Sequence, residues 1–146
     1  MASIFRKCTR RIFSAVPLNL LAQDKSADYI VSGSWSKAAA SEAKNFGAIN
    51  VIDIRQQQGE KTSIQASEQW SLTQNAAYVH YCPNETVDGI EMFTVPETHG
   101  VPLVADMSST FLSRKIEVSK FALIYAGAQK NIGPSGLTVV IVRDEL

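Results

Sequence analysis

The stretch that most constrains this chain is Leu137-Thr138-Val139-Val140-Ile141-Val142, apolar and β-branched almost without interruption. A strand with one wet face alternates polar and apolar residues. A run without alternation belongs to a strand covered on both faces, as in an α/β sheet. Similar short runs recur at residues 29–31, 50–54, 77–81, 102–105 and 121–125, each bounded by glycine, proline or polar residues. Between the first two, residues 34–46 are alanine-rich, with Ser34 placed to cap a helix and Gly47 placed to stop it. That is a strand–helix–strand unit. A second crossover is expected between Ala105 and Phe121, with a short helical turn at residues 108–112. The fold class that follows is α/β, a mostly parallel sheet flanked by helices.

Charge and composition narrow the functions. Lysine plus arginine and aspartate plus glutamate both number 14, so no basic field invites nucleic acid. An apolar fraction of 45% with 19% charged residues is ordinary for a soluble domain. No apolar run reaches the roughly 20 residues of a membrane-spanning helix. Cys8 and Cys82 stand far apart, which argues against a disulfide framework and for a reducing, cytoplasmic setting. Arg6, Lys7, Arg10 and Arg11 crowd the start, and no acid appears before Asp24. A targeting peptide would look similar, but Pro17 and Asn19 break the apolar stretch and no cleavage pattern follows. An irregular, basic segment over residues 1–13 is expected instead.

In parallel sheets, ligands gather beyond the carboxyl ends of strands. Asp106 follows the strand-like Leu103-Val104-Ala105, and Lys130 follows residues 121–125 after four small or polar residues. Neighbouring parallel strands would bring the two to one crevice. A partly desolvated lysine amine among Ala126, Gly127 and Ala128 suits condensation with an aldehyde. A carboxylate opposite it could pair with a protonated pyridine nitrogen. On residue types alone, an ordinary ion pair or two solvated charges is the commoner outcome. His80 and Cys82 form a His-x-Cys pair with no second pair nearby, so no metal site is expected. His99 reads as an exposed loop residue, and the turn at Gly33 carries no nucleotide fingerprint.

The flanking residues shift that balance. Ala126-Gly127-Ala128-Gln129-Lys130-Asn131-Ile132-Gly133-Pro134-Ser135-Gly136 closely resembles the cofactor-lysine motif of phosphoserine aminotransferases. His80-Tyr81-Cys82-Pro83-Asn84-Glu85-Thr86, Ala105-Asp106-Met107-Ser108-Ser109 and Ser14-Ala15-Val16-Pro17-Leu18-Asn19-Leu20 resemble further stretches of that family, in the same order. The resemblance implies part of a fold-type I aminotransferase large domain over residues 14–146, with the small domain absent. It implies pyridoxal 5'-phosphate as cofactor, glutamate and a phosphorylated 2-oxo acid as substrates, serine biosynthesis as setting and a homodimer as assembly. Lys130 would form the aldimine and move the α-proton, and Asp106 would hold the pyridinium nitrogen. Trp35 matches the tryptophan that stacks on the ring, where a core anchor at a helix start is the plainer alternative. Thr86 and Gln129 match cofactor contacts and would otherwise pass as ordinary loop polars.

Two regions depart from the family pattern. The family carries a glycine-rich phosphate turn upstream, whereas the first glycine here is Gly33, and Cys8-Thr9-Arg10 resembles that turn only faintly. The substrate-carboxylate arginine and the neighbouring subunit's cofactor contacts are expected outside the region present. The rival expectation is therefore a noncatalytic fragment or pairing module, with exposed apolar surface and poor solubility.

Overall fold

The computed structural model describes residues 2–5 and 10–146. In chain order its elements are β1 (Ala2–Phe5), α1 (Arg10–Leu20), β2 (Ser26–Val31), α2 (Ser34–Ala43), β3 (Ala48–Asp53), β4 (Arg55–Gln58) and β5 (Lys61–Ile64). There follow β6 (Val79–Tyr81), β7 (Asn84–Glu85), β8 (Ile90–Glu91), β9 (Leu103–Asp106), β10 (Leu123–Gly127) and β11 (Thr138–Val142). Seven strands form one sheet in the order β1-β11-β10-β9-β6-β2-β3. From β10 to β3 every neighbouring pair is parallel, and β11 runs antiparallel to both β10 and β1. The mostly parallel sheet expected from the sequence is present, and each expected strand lies in it.

Alternation along the strands divides the core in two. One face presents Tyr29, Val31, Val104, Leu123 and Tyr125 to Phe13 and Val16 of α1 and to Ala39, Ala40 and Ala43 of α2. The other presents Ile30, Val79, Tyr81, Leu103, Ala105 and Ile124 to Ile54, Trp70, Met107 and Phe121, which come from connecting segments. Both faces are covered, which is why β10 is buried along its whole length.

The start of the chain differs from expectation. Where an irregular segment is anticipated, Ala2–Phe5 pairs with β11, and Arg10–Leu20 is a helix that runs through the expected boundary at residue 13. Arg6, Lys7, Cys8 and Thr9 lie outside the described residues. Pro17 sits inside α1, where it removes one amide and costs about 3 kcal/mol. Burying Phe13 and Val16 against α2 and the sheet returns roughly 1.5–3 kcal/mol for each side chain. Packing outweighs the breaker. Ser14 also donates to Glu42 on α2 at 2.7 Å.

Helix α2 stands where the alanine run placed it but ends at Ala43, and its N-cap is Gly33 rather than Ser34. Residues 108–113 form successive turns, with the Phe111 amide bonded to the Met107 carbonyl at 2.8 Å, where the short helical turn is expected. Two small hairpins, β4–β5 and β7–β8, had no counterpart in the sequence reading.

Candidate active site

Because β2, β6, β9 and β10 are parallel, their carboxyl ends form one rim. β1 reaches the same rim, since Phe5 lies opposite Thr138 and Thr138 opposite Gly127. Along it Trp35, Thr86, Asp106, Gln129 and Lys130 line a single cavity of about 130 Å³. All five residues singled out from the sequence are thus brought together.

Asp106 closes β9 and is only 7% exposed. Its Oδ1 accepts from the Ser108 amide at 3.0 Å and from the Ser108 hydroxyl at 2.5 Å. Ser108 Oγ in turn accepts from the Gly127 amide at 3.0 Å, tying the end of β10 to the carboxylate. Burial pushes the Asp106 carboxyl up to about 6, against the hydrogen bonds from Ser108 and Tyr125, with the Glu85 carboxylate adding to the rise. No ion pair to Asp106 occurs among the described residues.

Trp35 sits in the first turn of α2, 37% exposed, and its indole Nε1 donates to Thr86 Oγ1 at 3.3 Å. It is therefore not a core anchor. The start of α2 is held by two carboxylates from the β7–β8 hairpin. Glu85, fully buried, accepts from the Trp35 and Ser36 amides at 2.7 Å each, and Asp88 accepts from the Ser34 amide at 2.7 Å. Negative groups at a helix N-terminus are favoured by its unpaired amides and dipole. Gly33 permits the approach, since a Cβ there would lie 2.6 Å from Asp88 Oδ2 and from Glu85 Cγ.

Lys130 is exposed and lies on the turn between β10 and β11, whose base is closed by the Ala128 amide on the Leu137 carbonyl at 3.1 Å. Asn131 anchors that turn to the Phe111 carbonyl at 3.2 Å, and Gly136 takes a φ of 116° that side chains disfavour. Among the described residues no ion pair involves Lys130. Small residues before it leave the cavity open.

Sequence reasoning missed several lining residues. Phe13 enters from α1, which was not expected as a helix, and Asn84 and Ser108 fall inside recognised motifs but were given no role. Glu85 carried the plainest overlooked signal, an acid followed three residues later by Asp88 in a loop facing a helix start. His80 is fully buried and Cys82 lines the cavity with its thiol pushed well up by burial. Among the described residues no group of His, Cys, Asp and Glu is placed to hold a metal, and no helix is long and apolar enough to cross a membrane. His99 is exposed.

A parallel sheet whose rim gathers a lysine, a buried aspartate and a tryptophan is the framework of an aminotransferase large domain. The chain belongs to the aminotransferase class-V family, whose model matches residues 2–146. Its curated relatives include the phosphoserine aminotransferase of Pseudoalteromonas translucida, 57% identical over 134 residues, which cover 92% of this chain and 37% of that protein. Among solved structures, the phosphoserine aminotransferase from Bacillus circulans subsp. alkalophilus superposes with a TM-score of 0.89 at 37% identity, covering 99% of this chain and 40% of that one. A phosphoserine aminotransferase from Trichomonas vaginalis, described as PLP bound, gives 0.88 at 37% identity over 99% of this chain and 43% of its own. The chain spans little more than a third of the length of the curated relatives it matches.

Proposed function

We propose that this chain is the cofactor-holding part of a phosphoserine transaminase, which exchanges an amino group between glutamate and 3-phosphohydroxypyruvate to give O-phosphoserine and 2-oxoglutarate. The setting proposed is cytoplasmic serine biosynthesis, in a homodimer, with residues 14–146 forming part of the cofactor domain. One observation carries the reading: a buried carboxylate, an amine without an ion-pair partner among the described residues, and an indole face one cavity.

The residues fit pyridoxal phosphate on their own chemistry. A carboxylate held nearly out of water, with its titration raised to about 6 and no ion-pair partner among the described residues, lacks what a protonated ring nitrogen supplies. When bound, the cofactor provides an aldehyde that takes up an amine and a cationic ring that withdraws electrons from the reacting carbon. Asp106 would keep the proton on the ring nitrogen. Lys130 Nζ would hold the aldehyde carbon and, once displaced by the substrate amine, act as the base that removes the α-proton and delivers it to the cofactor side. Trp35 would cover one ring face and exclude water, with Thr86 accepting from its indole N–H. Gln129 lines the same cavity near the cofactor lysine. α1 begins beyond the end of β1 on the same rim, and a helix start is where a phosphate is best received.

The test is to add pyridoxal phosphate to the purified chain, reduce with borohydride and map the adduct by mass spectrometry. The expected result is a visible band and a modified Lys130, both lost in Lys130→Ala. Modification spread over other lysines, with the band unchanged in that variant, overturns the reading. An adduct on Lys130 without conversion by glutamate supports the rival, a cofactor-binding piece without turnover of its own.

A further inference from the structure

Behind Asp106 the helix-facing side of the sheet carries a buried polar row. Strand register places Tyr29 opposite His80, and Tyr125 opposite Asp106, so each pair points to the same face. The His80 ring stacks on Tyr29 with centroids 4.6 Å apart, and His80 Nε2 lies 2.8 Å from the Tyr125 hydroxyl. His80 Nδ1 is buried without a hydrogen-bond partner among the described residues.

That orphan atom assigns the protons. Burial holds His80 neutral, with its titration lowered to about 3, so the ring carries a single N–H. If the proton sat on Nδ1, a buried donor would be left unpaired, and orphaned donors are the rarer and costlier kind. It would also make Tyr125 donate to His80 and turn a bare phenol oxygen toward the Asp106 carboxylate. With the proton on Nε2, His80 donates to the Tyr125 oxygen and Tyr125 is free to donate to Asp106. Register agrees, since Tyr125 lies opposite Asp106 on the neighbouring strand and on the same face.

We propose that His80 and Tyr125 are positioning residues for Asp106: an N–H and an O–H aligned in one direction, ending on the carboxylate that faces the cavity. The relay fixes the carboxylate's rotamer from below while Ser108 fixes it from the side, and it favours the ionised form. Its functional meaning rests on Asp106 being the ring-nitrogen partner proposed above, but its geometry does not.

The experiment is done on the cofactor-free chain, so that its failure is distinct from failure to bind cofactor. Ring ¹⁵N shifts of His80 are expected to report protonation at Nε2 alone and no titration down to pH 5. Carboxyl ¹³C titration of Asp106 is expected to move upward by about one pH unit, a tenfold change, in Tyr125→Phe, and to stay put in Tyr29→Phe, which removes a hydroxyl bonded to Tyr78 and keeps the ring stacked on His80. A proton on Nδ1 overturns the proposal, as does an Asp106 midpoint indifferent to Tyr125→Phe. Should Tyr125→Phe fail to fold, the tautomer in the unaltered chain decides.

Discussion

The two faces of this sheet are buried alike and built unlike. The face covered by connecting segments is mostly apolar, with Ile30, Val79, Leu103, Ala105 and Ile124 meeting Trp70 and Phe121, and its buried Asp28 is satisfied by Asn50 and the Thr73 amide far from the rim. The face under the helices interleaves aliphatic residues with Tyr29, His80, Tyr125 and Asp106, whose polar atoms are turned toward one another or toward the rim. One face supplies cohesion. The other gives up some cohesion to hold charge and protons in place beside a cavity.

Substitutions sharpen that contrast. The largest effect is expected on the apolar face, where Ile124→Ala should cost about 2–5 kcal/mol in urea unfolding through the cavity it leaves. Under folding conditions the borohydride-trapped adduct should still map to Lys130; loss of the adduct in a folded variant would mean that the faces are not separable.

On the polar face, pH should matter more than packing. Asp106 is raised from 3.8 to about 6, so its contribution to stability is full below pH 3.8 and is lost as pH rises toward 6. His80 is lowered from 6.5 to about 3, so its contribution is full above pH 6.5 and is lost as pH falls toward 3. Between about pH 4 and 6 the two slopes oppose, and the unaltered chain should show little net dependence from this pair. Asp106→Asn should then gain stability with rising pH across that window, and His80→Leu should lose it, each by up to ~1.4 kcal/mol per pH unit. Unfolding midpoints at several pH values check both signs.

A smaller effect is expected from Glu85→Ala. It leaves the Trp35 and Ser36 amides unpaired and should cost about 1–3 kcal/mol. Smallest of all, Trp35→Ala should change stability by less than about 1 kcal/mol, since the indole is over a third exposed, while weakening the visible band with pyridoxal phosphate several-fold. A large stability loss there would return Trp35 to the role of a core anchor.

How much of this was legible follows from what each signal depends on. Residues 137–142 declared a strand of the sheet because its packing writes itself into composition, although only Thr138 of it is buried and Val140, Val142 and Ile141 are partly covered from the two faces. Asp106 and Lys130 could be placed past strand ends because strand ends are local features, but it was the flanking motifs that singled them out. α1 was missed because Pro17 is a local veto, whereas the burial of Phe13 and Val16 that overrides it is tertiary. The β4–β5 hairpin joins a glutamine-rich strand to a second, mostly exposed polar one without apolar alternation, although Gly59, at a φ of 61° in its two-residue turn, was a usable sign. His80 passed as half of an incomplete ligand pair because what distinguishes it, a partnerless Nδ1 and an Nε2 bonded to Tyr125 from a strand far along the chain, exists only once the sheet has formed.

The β7–β8 hairpin gives the start of α2 a further consequence. With Glu85 and Asp88 seated there, that corner is already neutralised by the chain itself, and a dianion arriving from solvent would meet repulsion instead of free amides. A phosphorylated molecule would be turned away from that corner of the rim.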